Sequence, residues 1–148
     1  METWGKRRFP SWARSIFSGQ HSIHINTEGN LMIFDNGVKT KKSRALSFTI
    51  NEQQKVARVV INAPLPDELY SEKMGSAYLL NKNTILQCST NKEMLVATDL
   101  TGKIVGQVKM GGLTYRAQFI SGKAKQLVGS NSSFVDVSHA ELNPVAQS

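Results

Sequence analysis

Three histidines are the side chains of this sequence best suited to chemistry near neutral pH, since an imidazole can serve as nucleophile, base or metal ligand. His21 and His24 lie three residues apart within QHSIHIN, and His139 lies near the end of the chain. Side chains alternate between the two faces of a strand, so this spacing predicts that His21 and His24 point to opposite faces. With neither a cysteine nor a carboxylate cluster beside them, they are not predicted to bind a metal, and no cofactor is expected.

Two interpretations of His21 stay open at this point. A neutral imidazole with a free lone pair is a competent nucleophile. A histidine at the edge of a strand can equally be an ordinary polar residue that hydrogen-bonds to the backbone. Two other features receive structural interpretations: Asp35, Asn36 and Gly37 indicate a turn rather than a site, and Cys88 lies in an apolar run typical of a buried small residue.

The composition is that of a globular domain with an excess of basic residues. The chain has 148 residues, 40% of them hydrophobic, and a net charge of +7. Nucleic-acid binding therefore has to be weighed, but the basic residues are concentrated near the N-terminus and at 39–44, which is typical of solvated tails and loops. We therefore do not expect nucleic acid as a partner. We do not expect a membrane either, because no apolar stretch is long enough to span a bilayer. Residues 1–17 lack the apolar core of a secretory signal, which predicts a cytoplasmic protein if Met1 is the true start.

Alternating apolar residues separated by turn residues predict two sets of four antiparallel strands. A Gly29-Asn30 turn separates the first two strands, and Pro64 and Pro66 predict a connecting loop over 63–74 between the sets. A ninth strand over 113–120 would begin a third set. The predicted strands are 22–26, 31–35, 45–50 and 56–62 in the first set, and 75–81, 84–89, 93–99 and 104–110 in the second.

The two sets repeat at a period of about 54 residues, which is typical of propeller blades. The predicted fold class is therefore all-β: a partial β-propeller of two four-stranded antiparallel blades plus the first strand of a third, with a β-sandwich as the alternative. Two blades cannot close a ring and would expose apolar faces, so we expect either a fragment of a longer protein or several copies that complete the ring. The predicted organisation is a basic segment at 1–17, the blades at 18–120 and a weakly ordered tail at 121–148.

One stretch carries a more specific combination of motifs. In SGQHSIHINTEGNLMIFDNG, a Gln-His-Ser step is followed by Gly-Asn and then by Phe-Asp-Asn-Gly. This combination resembles the bacterial arylsulfotransferase family. The resemblance continues through SRALSFTI, ELYSEKMGSAYLL and NTIL to LTYRAQFI, so it covers about residues 18–120.

The resemblance implies a fold, a reaction and a nucleophile. The family has a six-bladed propeller, of which this chain is similar to the C-terminal third. Its members transfer a sulfuryl group from a phenolic sulfate ester to a phenol without a nucleotide sulfate donor, and the histidine of the Gln-His-Ser/Thr step becomes transiently sulfated. By position that histidine is His21. Many members act in the periplasm and some form dimers, which implies a periplasmic location and the possibility of a homo-oligomer.

The alignment of the two sets suggests further site residues. His21, Gly75 and Arg116 would begin three successive innermost strands and so ring one channel. We predict that Arg116 stabilises the charge of the transferring group, that Tyr115 offers a hydroxyl or a flat surface to an aryl ring, and that Ser76 binds substrate. The family also uses histidines and an arginine from upstream blades, which this chain lacks. It is therefore expected to be inactive alone or to need the missing blades, and a non-catalytic propeller fragment or binding module is the alternative.

Overall fold

The computed structural model of the protein describes residues 17–118. Except for Phe17, the predicted segments at 1–17 and 121–148 lie outside the described residues, and so does His139. Within the described part no helix is long and apolar enough to cross a membrane.

Eight strands form two four-stranded antiparallel sheets, each in sequential order, which confirms the predicted all-β class and the two sets of four strands. Short 3-10 turns at Asp67–Leu69 and Thr90–Lys92 are the helical elements between them. The first sheet contains β1 (Gln20–Ile25), β2 (Leu31–Asp35), β3 (Arg44–Asn51) and β4 (Val56–Pro64), and the second contains β5 (Ser76–Asn81), β6 (Thr84–Ser89), β7 (Met94–Thr98) and β8 (Ile104–Lys109).

The predicted turn between β1 and β2 is built by a side chain as well as by glycine. Oδ1 of Asn26 accepts hydrogen bonds from the backbone N–H groups of Glu28 and Asn30, each at 3.0 Å. Gly29 adopts a φ of 78°, which glycine reaches without the steric cost of a Cβ. This local chemistry explains why the sequence predicted the turn.

The two sheets pack face to face around one apolar core. Residues that alternate along the strands supply it from both sides, as a half-buried sheet requires. The backbone of the second sheet approaches this core closely at Gly75, where a Cβ atom would lie 2.6 Å from Cε1 of Phe34. The core contains Met32, Phe34, Ala45, Ile61 and Ala63 of the first sheet, and Ala77, Leu79, Ile85 and Val96 of the second.

Each sheet also has a face that does not contact the other sheet. On the second sheet this face carries Cys88, Leu95 and Met110. Cys88 is buried, as predicted, and its burial raises the pKa of the thiol. On the first sheet the face turned away from the second sheet, which we call the outer face, carries a small buried cluster of Ile33, Leu46 and Phe48, and Ile23 and Ile25 are more than 60% exposed beside it.

A β-bulge in β1 overturns the predicted orientation of the two histidines. His21 pairs with Phe34 and His24 with Met32. A step of three residues along β1 therefore matches a step of only two residues along β2. The extra residue is accommodated at Ser22, which has a φ of 57°. Directly paired residues share a face, so His21 and His24 lie on the same face of the first sheet rather than on opposite faces.

Two predicted boundaries also differ from the structure. β4 continues to Pro64, which pairs with Arg44, because a proline is tolerated on an edge strand. The strand predicted over 113–120 is not formed in its described part, residues 113–118. There the backbone of Ala117 hydrogen-bonds through both N–H and C=O to the hydroxyl of Ser76 instead of to a neighbouring strand.

Candidate active site around His21

The chain enters β1 through a segment that Asp35 fixes in place. The carboxylate of Asp35 is 1% exposed. Its Oδ1 accepts the N–H groups of Ser18 at 2.8 Å and Gly37 at 3.0 Å, and its Oδ2 pairs with Nε of Arg44 at 2.9 Å. A buried carboxylate needs such partners, and they hold the residues before β1 against the end of β2. Gly19, which follows Ser18, is closely packed, since a Cβ there would lie 2.6 Å from Cγ2 of Val38.

The imidazole of His21 is partly buried, and its Nδ1 has two neighbours. The backbone carbonyl oxygen of Gly19 lies 3.1 Å away and Oδ1 of Asn36 lies 2.8 Å away. A carbonyl oxygen can only accept, and the direction of the second hydrogen bond depends on which way the amide of Asn36 points.

The surroundings of Asn36 fix the direction of its amide. The side chain is fully buried, and its Nδ2 donates to the carbonyl oxygens of Ser71 and Met74, each at 2.8 Å. Exchanging the amide oxygen and nitrogen would turn an oxygen toward two acceptors, so Oδ1 must face His21. Both neighbours of Nδ1 are therefore acceptors, and Nδ1 of His21 carries the proton.

It follows that the neutral ring of His21 has its lone pair on Nε2. This atom makes no hydrogen bond within residues 17–118. A histidine with one nitrogen anchored as a donor and the other free is suited to attack an electrophile, to take up a proton or to bind a metal.

His24 is held differently from His21. Its Nδ1 lies 2.9 Å from the backbone oxygen of Ser22, and its ring stacks on that of Tyr78 at 4.6 Å between centroids. One nitrogen of His24 is bonded to the backbone and one face of its ring is covered by Tyr78. His24 is therefore less available for chemistry than His21. Among the described residues no group of three His, Cys, Asp or Glu side chains could hold a metal ion.

Of the other predicted site residues, the structure brings Tyr115 into contact with His21, and the three residues differ in exposure. The ring of Tyr115 lies 6.5 Å from that of His21 in an edge-to-face arrangement and is 61% exposed. Arg116 is exposed and forms no ion pair within the described part of the chain. Ser76 is buried, and its hydroxyl holds Ala117 at 2.9 Å, so it anchors the segment that carries Tyr115 and Arg116. Its predicted contact with substrate stays a prediction.

Sequence reasoning missed two contributors to this site, Asn36 and the His24–Tyr78 stack. Asn36 was interpreted as part of a turn, and the chain does turn directly after Gly37. Its partners Ser71 and Met74 are 35 and 38 residues away, so no local pattern reveals them. The signal available was the Asn of the Phe-Asp-Asn-Gly motif itself, which occurs together with the Gln-His-Ser step.

Taken together, the fold and the site define an all-β protein of repeated four-stranded antiparallel sheets. Its edge strand β1 presents a histidine whose Nε2 makes no hydrogen bond to the described residues. No curated protein sequence and no solved structure matches the chain significantly. A family model described as arylsulfotransferase (ASST) does match, over residues 13–128. The match covers more than half of the chain, which therefore belongs to the arylsulfotransferase family, and it confirms the resemblance found in the sequence.

Proposed function

We propose that this protein takes part in sulfuryl transfer from a phenolic sulfate ester to a phenol, with Nε2 of His21 as the covalent carrier. Family membership supports the class of reaction. The observation that carries the assignment of the nucleophile is the hydrogen-bond arrangement of His21. Its Nδ1 is engaged by Gly19 and Asn36, while its Nε2 has no hydrogen-bond partner in the part of the chain that the structure describes.

The reaction proceeds in two displacements at sulfur. The lone pair of Nε2 attacks the sulfur atom, an N–S bond forms, and the S–O bond to the donor breaks as the phenolate leaves. The oxygen of the acceptor phenol then attacks the same sulfur, and the N–S bond breaks with its electron pair returning to Nε2. The hydroxyl proton of the acceptor passes, directly or through solvent, to the phenolate released in the first step. Because the enzyme is modified between two substrates, ping-pong kinetics follow.

Charge on the transferring group defines the roles of the neighbouring residues. The sulfuryl oxygens carry negative charge that a nearby cation stabilises, as in phosphoryl transfer. Arg116, next to Tyr115 and without an ion-pair partner in residues 17–118, fits this role. The exposed ring of Tyr115 packs against an aryl group of donor or acceptor, and Ser76 keeps both residues near His21 through Ala117.

The two sheets are proposed to be two blades of a larger propeller. The outer face of the first sheet supports this idea. By the repeat, Ile23 and Ile25 match Ala77 and Leu79, which the first sheet covers, whereas Ile23 and Ile25 themselves are exposed. Further blades packed there would supply the remaining groups of the site. The proposed location is the periplasm, on the basis of the family alone.

Covalent labelling tests the nucleophile directly. The chain is incubated with a fluorogenic aryl sulfate, with and without a phenol acceptor, and its mass is measured intact at neutral pH. Efficient turnover would need the groups of further blades, but the first displacement uses Nε2 of His21 itself. We therefore expect a slow gain of one SO₃ group, mapped to His21, which the phenol removes. Substitution H21N should lower labelling by about a thousandfold or more, as expected for loss of a covalent nucleophile.

His24 provides the matched control, since it lies on the same strand and the same face. The H24N variant should still be labelled at His21. Labelling of H21N at the wild-type level, or no label on wild-type His21, would contradict the proposal and leave a non-catalytic propeller module as the better interpretation.

A further inference from the structure

We propose that Asn36 is a positioning residue that selects Nε2 of His21 as the reacting atom and ties the ring to the connection between the two sheets. The consequence for catalysis rests on the function proposed above, whereas the effect on the histidine itself does not. A residue that fixes the tautomer of a reacting histidine acts through that histidine and touches no substrate.

The first support is the complete use of the Asn36 amide. Its oxygen faces Nδ1 of His21, and its nitrogen donates to the carbonyl oxygens of Ser71 and Met74. All three hydrogen bonds are 2.8 Å long, and the side chain is fully buried. Because turning the amide would cost every one of these bonds, the acceptor that meets His21 is held rigidly.

The second support is the corresponding position in the second sheet. Asn36 follows the last residue of β2, and Thr90 follows the last residue of β6. The hydroxyl of Thr90 is also buried and donates to a carbonyl oxygen of the next connection, that of Thr114, at 2.6 Å. A threonine therefore suffices to hold the connection. Asn36 has in addition an acceptor oxygen, Oδ1, which is not needed to hold the connection. This oxygen faces Nδ1 of His21.

The third support is the weakness of the alternative acceptor. The backbone oxygen of Gly19 lies farther from Nδ1, at 3.1 Å, and its hydrogen bond is exposed. Water competes more strongly for such a bond than for the partly buried bond to Asn36 at 2.8 Å. Asn36 is thus the group that sets the tautomer.

The chain itself suggests a pair of variants that separate the two roles of Asn36. N36T copies Thr90, so it keeps a hydroxyl donor for the connection but offers no acceptor that reaches His21. N36D keeps an acceptor for Nδ1 but loses both N–H donors and turns an oxygen toward two carbonyl groups. We therefore expect N36T to retain more of the wild-type stability than N36D in urea unfolding.

The tautomer is measured by ¹⁵N NMR of histidine-labelled protein at alkaline pH, where imidazoles are neutral. Wild type and N36D should show a protonated-type Nδ1 and an unprotonated-type Nε2 at His21, while N36T should shift toward a mixture. Wild-type nitrogen signals in N36T would overturn the inference. If N36T does not fold, N36S carries the same test with a smaller hydroxyl residue.

Kinetics then separate positioning from binding. The rate of His21 sulfation should fall about tenfold in N36T, the order expected for loss of an outer hydrogen-bond partner, with an unchanged KM for the aryl sulfate. Wild-type sulfation rates in N36T would also contradict the inference while leaving the proposed function intact. Conversely, an altered tautomer in N36T without any sulfation of wild type would remove the proposed function and leave the positioning role standing.

Discussion

The first and second sheets have the same strand order, and they differ at two equivalent positions close to the site. In the first sheet His21 pairs with Phe34 and Asn36 follows β2, whereas in the second sheet Ser76 pairs with Cys88 and Thr90 follows β6. Ser76 and Thr90 hold the next segment of chain through their hydroxyl groups. Since the repeat folds with these two residues, His21 and Asn36 are not required by the architecture, which agrees with the roles proposed for them above.

The largest effect that tests this comparison concerns Phe34 and Cys88, which occupy matching positions in β2 and β6. Phe34 lies between the two sheets, and Cys88 lies on the face that the first sheet does not cover. We expect F34A to lower the free energy of unfolding by about 3–5 kcal/mol, the usual cost of removing a buried aromatic ring. C88A should cost about 1 kcal/mol, because one small group is removed.

Urea unfolding of both variants measures this difference. Equal losses would mean that the two sheets do not share one core, and the close approach of Gly75 to Phe34 would need another explanation. C88A also serves as the control for the removal of a buried side chain at the same register.

The comparison also shows which parts of the molecule the sequence could predict. Alternating apolar residues and turn residues are local, so all eight strands and both sheets were predicted to within a few residues. The predicted end of β4 before Pro64 was wrong, because proline is tolerated in a strand at the edge of a sheet. Whether a strand lies at an edge cannot be determined from its own sequence.

The site was predictable only where a motif pointed to it. His21 was found through the Gln-His-Ser step, but its neighbours depend on the bulge at Ser22 and on hydrogen bonds that join distant residues. A bulge reverses the facing of every residue on one side of it, so the relation between His21 and His24 was predicted wrongly. Asn36 could not be assigned because its partners lie in the connection between the sheets.

A smaller effect distinguishes the matching residues His21 and Ser76. The hydroxyl of Ser76 makes two hydrogen bonds with the backbone of Ala117. In S76A both are lost, and we expect faster hydrogen exchange at the amide of Ala117 and a loss of about 1–3 kcal/mol, the cost of leaving buried polar groups unpaired. Sulfation of His21 should slow but persist, because Tyr115 and Arg116 are displaced rather than removed.

This variant also tests the predicted contact of Ser76 with substrate. Sulfation as low in S76A as in H21N, with unchanged exchange at Ala117, would show that Ser76 touches the reacting group. Faster exchange with residual sulfation would instead place it among the residues that hold the segment at 113–118.

The smallest effect compares two turns of the same design, one in each sheet. Asn26 and Asp99 each accept two backbone N–H groups through Oδ1, and each turn has a glycine three residues later, Gly29 or Gly102, whose N–H donates to the first residue of the turn. The acceptor is neutral in the first sheet and charged in the second. Hydrogen bonds, that from the hydroxyl of Thr101 first, lower the pKa of Asp99.

Only the turn between β7 and β8 should therefore respond to acid. A lowered pKa in the folded state means that ionised Asp99 stabilises the turn above its ordinary pKa, and that this stabilisation is lost as the pH falls through the lowered value. Because the hydrogen bonds to the carboxylate of Asp99 are exposed, the change is small. Amide exchange at Thr101 and Lys103 should speed up relative to its intrinsic rate below about pH 4, while exchange at Glu28 and Asn30 should not. In D99N, which makes the second turn resemble the first, the acid response should disappear, and an equal response of both turns in wild type would show that it arises elsewhere in the sheets.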